Sequence, residues 1–176
     1  MRGRPVTCCF SGYRPGKLPW GGREEDPRCL ALKARLRQAI EEAWDQGYRH
    51  FICGMAEGVD FYCCELLLEL RRTRPLTVEA AIPCLSQADG WSKEQRERYR
   101  RLVASCDLET VVQEQYSAGC MQRRNRYMVD HSARLIAVFD GQAGGTQATV
   151  RYAMSRRLEL VLIPPEELLP QREDAE

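Results

Sequence analysis

Three short loops that contain glycine carry the residues of this sequence best suited to ligand chemistry. The clearest candidate for a ligand site is Gly144-Gly145-Thr146, which follows an apolar run and precedes a helical pattern. Glycines let backbone N–H groups approach a phosphate, the threonine hydroxyl can add a hydrogen bond, and the helix dipole favours negative charge. The loop therefore predicts an anion site, although a tight strand-to-helix turn without a ligand fits the same three residues.

A second loop, residues 54–60 (GMAEGVD), combines glycines with two carboxylates. Gly54 permits a sharp turn, and Gly58 permits a close approach by a ligand or another strand. Asp60 falls in the first turn of the next helix, where the dipole stabilises a carboxylate with or without a ligand. Asp60 and Glu57 are weak candidates for a catalytic carboxylate, and a solvated loop position is the alternative for Glu57.

Charged residues accompany these loops. The stretch FSGYRP (residues 10–15) places Gly12 and Arg14 after the first apolar run, so this guanidinium could clamp a phosphate or a carboxylate. The basic cluster RRNR at residues 123–126 includes Arg124 near a helix start. A solvated surface position is the alternative for both arginines. Asp140 begins the third loop, where it could accept hydrogen bonds from ribose hydroxyls or position a water molecule.

The elements that must hold these loops alternate along the chain. Continuous apolar runs predict strands at residues 6–10, 50–53, 77–82, 108–112, 134–139 and 158–163. Helical spacing predicts helices at residues 27–47, 59–72, 92–104 and 146–157, and another within 115–132. This alternation predicts an α/β fold, a Rossmann-like three-layer sandwich with a mainly parallel sheet. In such a sheet the loops after the strands meet at one rim and bind ligands there.

Length and charge restrict the partners. The 176 residues suit one domain, which we predict at residues 1–165, with an acidic C-terminal tail at 166–176. Basic residues number 26 and acidic residues 25, so the net charge is +1. This balance provides no long-range attraction for DNA, RNA or an anionic membrane surface. We therefore expect neither nucleic acid nor a membrane as the partner, and any anion site must be local.

The cysteines indicate a reducing compartment. Their number is odd, nine, they include adjacent pairs, and no C-x-x-C spacing occurs, which favours buried free thiols in the cytoplasm over disulfides. Only two histidines are present, so we expect no metal site. Cys120, beside Gly119 in a predicted loop, is the thiol with the best prospect of reactivity.

Taken in order, the three loops resemble one protein family. GMAEGVD is similar to the signature of the DNA-processing protein A (Smf) proteins. FSGYRP and RRNRYMVDHSARLIAVFDGQAGGT resemble segments of the YpsA-like bacterial proteins of unknown function. Both groups belong to the SLOG superfamily, which also contains the LOG phosphoribohydrolases. The resemblance to the YpsA-like group covers about residues 5 to 165.

This resemblance implies a modified Rossmann fold that binds a nucleotide or a nucleotide-derived ligand. ADP-ribose and NAD-related compounds are included, and no cofactor is assigned with certainty. The positions of this sequence that match the family's binding loops are Gly12, Arg14, Gly54, Gly58, Asp60, Arg124, Asn125, Asp140, Gly144, Gly145 and Thr146. Members of the superfamily commonly form dimers or larger assemblies, which implies a homodimer or a higher homo-oligomer here.

The resemblance leaves three functions open. The first is a sensor or regulatory protein that binds its ligand at the carboxyl ends of the strands. The second is a hydrolase acting on an N-glycosidic or phosphate bond of a nucleotide, but the catalytic glutamate of the LOG enzymes has no counterpart in residues 147–150 (QATV). The third is a module that binds single-stranded DNA, as proteins of the DNA-processing type do.

Overall fold

A computed structural model describes residues 6–166 of the chain, which fold into one parallel sheet with helices on both faces. The strands are β1 (Thr7–Ser11), β2 (His50–Cys53), β3 (Thr77–Ile82), β4 (Leu108–Val111), β5 (Arg134–Val138) and β6 (Glu159–Ile163). The helices are α1 (Pro27–Asp45), α2 (Val59–Leu70), α3 (Lys93–Ser105), α4 (Cys120–Asp130) and α5 (Gly145–Ser155), with a 3₁₀ turn at Pro15–Lys17.

The order of the strands determines where a ligand crevice can form. The sheet has the order β4-β3-β2-β1-β5-β6, and all five neighbouring pairs are parallel. The chain moves outward from β1 to β4, returns to the other side of β1 as β5, and continues to β6. Loops on the two sides of β1 therefore turn in opposite directions, which leaves a gap above its carboxyl end. The predicted α/β sandwich with a parallel sheet is confirmed.

Two hydrophobic clusters cover the two faces of the sheet. The larger joins one face to α1, α2 and α3 and includes the fully buried Leu36, Phe51 and Phe61. The smaller joins the other face to α4 and α5 through Met128 and Val150, among others. Burial on both faces explains why the inner strands β1, β2 and β5 are continuous apolar runs in the sequence.

Local signals in the sequence coincide with the ends of the helices. The Asp26 carboxylate accepts a hydrogen bond from the Arg28 amide at the start of α1, and Ser92 Oγ accepts one from the Gln95 amide at the start of α3. The last helix ends at Ser155, two residues before the predicted end. Arg157 adopts a left-handed conformation with φ 60°, which no α-helix can continue.

The nine cysteines are free thiols, and eight of them are buried. Cys120 is the first residue of α4, so its predicted position in a loop is wrong, and it is 1% exposed. No helix within residues 6–166 is long and apolar enough to cross a membrane. The predicted acidic tail lies outside the described residues, except for its first residue, Glu166.

Candidate functional site

A crevice of about 250 Å³ opens above the carboxyl end of β1, where the strand order leaves a gap. We call it the rim crevice. Four chain segments form its walls: the loop after β1, the loop after β2, the first turns of α4 and the start of α5. The lining residues are 10–14, 16–17, Ala56, Asp60, Met121, Arg124, Asn125, Gly145 and Thr146.

Arg124 forms the buried, cationic part of the crevice. It is only 3% exposed, although its position in α4 follows a run of polar residues. Its Nη1 donates to the carbonyl oxygen of Gly54 and to Gln87 Oε1, the latter at 3.3 Å, and its Nε donates to Asn125 Oδ1 at 2.8 Å. Within residues 6–166, Nη2 makes no hydrogen bond to the protein, so this donor is free to bind a ligand.

Among residues 6–166, Asp60 is the one carboxylate that lines the crevice. It lies in the first turn of α2, is 7% exposed, and accepts a hydrogen bond from the Ala56 amide at 3.1 Å. Burial raises the pKa of Asp60, while the nearby Arg124 and the Ala56 amide act in the opposite direction. Burial also lowers the pKa of Arg124. The crevice thus holds two opposite charges that are both removed from water.

The start of α5 presents backbone amides to the same crevice. Gly144 precedes the helix with φ 146°, a conformation that favours glycine, and Gly145 and Thr146 line the cavity. The first N–H groups of a helix have no partner inside the helix, and they carry the positive end of the dipole. Thr146 is 7% exposed and lines the cavity.

Lys17 connects the loop after β1 to the loop before α5. Its Nζ donates to the carbonyl oxygen of Ala143 at 2.8 Å, and a Cβ on Gly144 would lie 2.5 Å from the same atom. Lys17 is exposed and lines the crevice together with Arg14. Three cations and one carboxylate therefore surround the cavity, and the local charge is positive even though the whole chain is near neutral.

Tyr13 and Asp140 form a second link between these loops. Tyr13 OH donates to Asp140 Oδ1 at 2.5 Å, and the Asp140 amide donates to the same hydroxyl oxygen at 3.2 Å. The hydrogen bond from Tyr13 is the main reason why the pKa of Asp140 is lowered. Asp140 is thereby engaged with the protein and does not line the rim crevice.

Glycines at three predicted positions allow the walls of the crevice to pack closely. A Cβ on Gly12 would lie 2.4 Å from Val59 Cγ1, and one on Gly58 would lie 2.6 Å from the Tyr13 carbonyl oxygen. A Cβ on Gly54 would lie 2.9 Å from the guanidinium carbon of Arg124. These glycines act mainly through contacts between protein segments, and the proximity of a ligand is not needed to explain them.

The structure brings most of the predicted site residues to one place. Of the eleven positions, seven line the rim crevice: Gly12, Arg14, Asp60, Arg124, Asn125, Gly145 and Thr146. Gly54 and Gly58 support the crevice from behind, and Asp140 and Gly144 lie at its edge, where they contact Tyr13 and Lys17. Glu57, the other candidate carboxylate, is half-buried and does not line the crevice.

The sequence analysis did not include Lys17, Met121 and Tyr13 among the candidate site residues, although all three line the crevice. Lys17 follows Arg14 by one turn of the 3₁₀ segment Pro15–Lys17, so the two basic side chains begin on the same loop. The spacing of Arg14 and Lys17 could therefore have predicted that Lys17 lies beside Arg14 at the site. Arg14 Nη2 contacts Met121 Sδ at 3.9 Å. These two residues are far apart in the chain, so no local sequence pattern could have predicted that Met121 lines the crevice.

Solved structures with a similar fold are DNA-processing proteins. DNA processing protein A from Streptococcus pneumoniae superposes with a TM-score of 0.61 at 15% identity, over 96% of this chain and 53% of that chain. DNA processing protein A from Helicobacter pylori, which binds single-stranded DNA, superposes with a TM-score of 0.60 at 16% identity, over 98% of this chain and 68% of that chain. This chain therefore spans about half the length of the Streptococcus protein.

These structures correct one prediction. We expected from the balanced net charge that nucleic acid would not be a partner, and that exclusion is wrong, because a protein of this fold binds single-stranded DNA. The physical reason is that single-stranded DNA binds to the local positive charge of a groove. The net charge of the whole chain does not reveal this local charge.

Sequence relatives are uncharacterised. The SPbeta prophage-derived protein YoqJ of Bacillus subtilis is 33% identical over 144 residues, which cover 73% of this chain and 84% of that protein. A UPF0398 protein of Bacillus thuringiensis is 24% identical over 153 residues, which cover 85% of this chain and 83% of that protein. The family model YpsA, described as the YspA SLOG family, matches residues 8–164, and the chain belongs to this family.

Proposed function

We propose that the rim crevice binds a phosphate-bearing nucleotide ligand and that the protein acts as a sensor or regulatory module. The observation that carries this proposal is a buried guanidinium, that of Arg124, which shares one cavity with the free amides at the start of α5. Both groups favour negatively charged oxygen, and they approach the cavity from different elements.

The charges of the crevice support an anionic ligand. A buried charge is costly unless it is paired, and Arg124 has only the buried Asp60 as a nearby countercharge within the crevice. Arg14 and Lys17 add two exposed cations at the entrance. An entering phosphate would complete the hydrogen bonds of Arg124 Nη2 and neutralise the excess positive charge.

Each wall of the crevice has a distinct role in this proposal. The Gly145 and Thr146 amides and the Thr146 hydroxyl hold phosphate oxygens, and Arg14 and Lys17 neutralise them. Asp60 faces the remaining part of the ligand, where ribose hydroxyls offer donors to its oxygen atoms, and the Asn125 amide group can donate to acceptors of the ligand. Nucleoside phosphates, ADP-ribose and NAD-related compounds all carry this combination of groups.

Isothermal titration of the purified protein with AMP, ADP-ribose, NAD and inorganic phosphate tests the proposal. We expect at least one nucleotide to bind, and we expect Arg14→Ala and Thr146→Val each to weaken that binding about tenfold or more, since each removes a charge-assisted or neutral hydrogen bond to the ligand. Arg72→Ala is the matched control, because Arg72 is exposed near the end of α2, away from the crevice. Binding of no nucleotide by the folded protein would overturn the proposal.

Single-stranded DNA is the second candidate ligand. It is favoured by the strand-binding activity of the Helicobacter pylori protein of the same fold. A strand offers phosphodiester oxygens to the same amides and cations, so the crevice chemistry suits it as well. A gel shift with an oligonucleotide should then appear at low salt and weaken steeply as salt rises. Absence of any shift at low salt would remove this candidate.

A further inference from the structure

A second cavity of about 270 Å³ lies between α4 and α5 and adjoins the rim crevice. We call it the α4–α5 groove. Asn125 and Gly145 line both cavities, so the two spaces meet at the start of α5. The groove then runs along the two helices as far as Arg126 and Tyr152. No function considered above uses it.

The size of the two cavities suggests that one ligand occupies both. The rim crevice alone, about 250 Å³, is smaller than the range of ~300–1,000 Å³ typical of ligand sites. The two cavities together fall within that range. A phosphate at the start of α5 would sit at their junction, with room for one nucleoside on each side.

The groove has the planar and polar groups that recognise a base. Arg126 Cζ lies 5.2 Å from the centre of the Tyr152 ring, and guanidinium planes and aromatic rings both stack on bases. Tyr152 OH donates to Asp130 Oδ1 at 2.7 Å, which holds the ring in place. The Asn125 Oδ1 atom is engaged by Arg124, so the Asn125 amide group can donate to a ligand in either cavity.

We propose that the α4–α5 groove is a base-binding subsite, and that the ligand is a pair of nucleotides joined by a phosphodiester. One nucleoside occupies the rim crevice, the phosphodiester lies against the Gly145 amide, and the second base lies against Arg126 and Tyr152. This inference rests on the proposed binding of nucleotides by the rim crevice. A free dinucleotide and a single strand of DNA share this chemistry.

Titrations with thymidine 5′-monophosphate, the 5′-phosphorylated thymidine dinucleotide and a ten-residue thymidine strand test the subsite. The dinucleotide should bind about tenfold more tightly than the mononucleotide, because its second base adds one stacking contact. Arg126→Ala and Tyr152→Ala should each abolish most of this gain and leave mononucleotide binding unchanged. Arg126 is exposed, so its replacement leaves the fold intact.

The controls separate the subsite from general effects. Arg151→Ala removes the same charge from another face of α5, and Tyr116→Ala removes an exposed ring outside the groove, so neither should alter the gain. Equal affinity for the mononucleotide and the dinucleotide would overturn the subsite while the proposed function stands. If neither binds, the subsite fails, and the proposed function fails with it only if AMP, ADP-ribose and NAD do not bind either. If the ten-residue strand binds much more tightly than the dinucleotide, the ligand is single-stranded DNA. If the two bind equally tightly, the ligand is a free dinucleotide.

Discussion

At the scale of single residues, Asp60 sets the response of the rim crevice to pH. Its carboxylate lines the same cavity as the proposed phosphate site, and burial raises its pKa. A raised pKa means that Asp60 takes up a proton at a higher pH than an ordinary carboxyl group, whose pKa is about 3.9. Protonation removes a negative charge that repels an anionic ligand.

Binding of an anion should therefore tighten as the pH falls from about 7 towards about 4, with a gain of about tenfold. The measurement is a titration of thymidylyl-thymidine without a terminal phosphate, because its single phosphodiester keeps its charge over this range. Asp60→Asn, which lacks the titrating group, should show a flat profile. The same slope in this variant would assign the pH dependence to another group.

Gly58 illustrates a residue whose role is to let two loops meet. It has φ 90°, and a Cβ there would lie 2.6 Å from the Tyr13 carbonyl oxygen. We expect Gly58→Ala to lower the free energy of unfolding by about 3 kcal/mol, from backbone strain and steric overlap together. Urea denaturation measures this.

The matched control is Gly90→Ala. A Cβ on Gly90 would have no heavy atom within 4 Å, and its φ is outside the left-handed region. This variant should be neutral or slightly more stable, within about 1 kcal/mol. Equal losses in both variants would show that Gly58 is not specially constrained.

At the scale of elements, one buried carboxylate ties four of them together. Glu79 on β3 is 4% exposed and accepts hydrogen bonds from His50 Nε2 at 2.7 Å, Thr110 Oγ1 at 3.0 Å and Tyr127 OH at 2.6 Å. These donors belong to β2, β4 and α4. Burial alone would raise the pKa of Glu79, but the three hydrogen bonds outweigh it, and the pKa is lowered.

Glu79→Gln should lower the free energy of unfolding by about 2 kcal/mol at pH 7, because hydrogen bonds to a charged acceptor are replaced by weaker ones. A lowered pKa stabilises the fold above the unfolded-state pKa, about 4.3, and this stabilisation is lost as the pH falls through the folded-state value. Denaturation curves of the two proteins should therefore converge as the pH falls below about 4.

Glu109→Gln provides the control, since Glu109 is an exposed carboxylate on the neighbouring strand β4. Its replacement should change stability by less than about 0.5 kcal/mol at either pH. A loss of stability for Glu79→Gln that is the same at all pH values would contradict a role for its charge.

At the scale of the whole molecule, the fold shields its thiols. Eight of the nine cysteines are buried and Cys106 is half-buried. Burial raises the pKa of Cys9 and Cys53 to about 12, and a hydrogen bond with Cys64, together with burial, raises that of Cys106. Thiolates, the reactive form, are therefore scarce at these three cysteines at neutral pH.

We expect a thiol reagent such as dithionitrobenzoate to label at most one cysteine rapidly in the native protein at about pH 8, near the pKa of a free thiol. All nine should react after unfolding in guanidinium under the same conditions. Rapid labelling of two or more cysteines without denaturant would contradict the packing of the two core clusters.

The sequence by itself determined the strands of the sheet and the edge at which the three glycine-containing loops meet. Continuous apolar runs indicated all six strands, and the loops after β1, β2 and β5 were correctly assigned to one edge, because parallel strands end on the same side. Glycine positions were informative as well, since glycine permits backbone conformations and close approaches that other residues do not. Strands, loops and glycine turns depend on residues that are close together in the chain, which is why they can be predicted from the sequence.

Only the tertiary structure decided that Arg124 is buried and that Lys17 joins the charges of the crevice. Arg124 stands between two other basic residues, and no local rule distinguishes it from Arg123, which is exposed. Arg124 is buried because α4 packs beside the loop after β2, where the Gly54 carbonyl oxygen and Gln87 accept its hydrogen bonds. The α4–α5 groove arises in the same way, from two helices that meet only after the chain has crossed the sheet. Contacts of this kind join residues distant in sequence, and their geometry depends on the complete packing of the sheet and its helices.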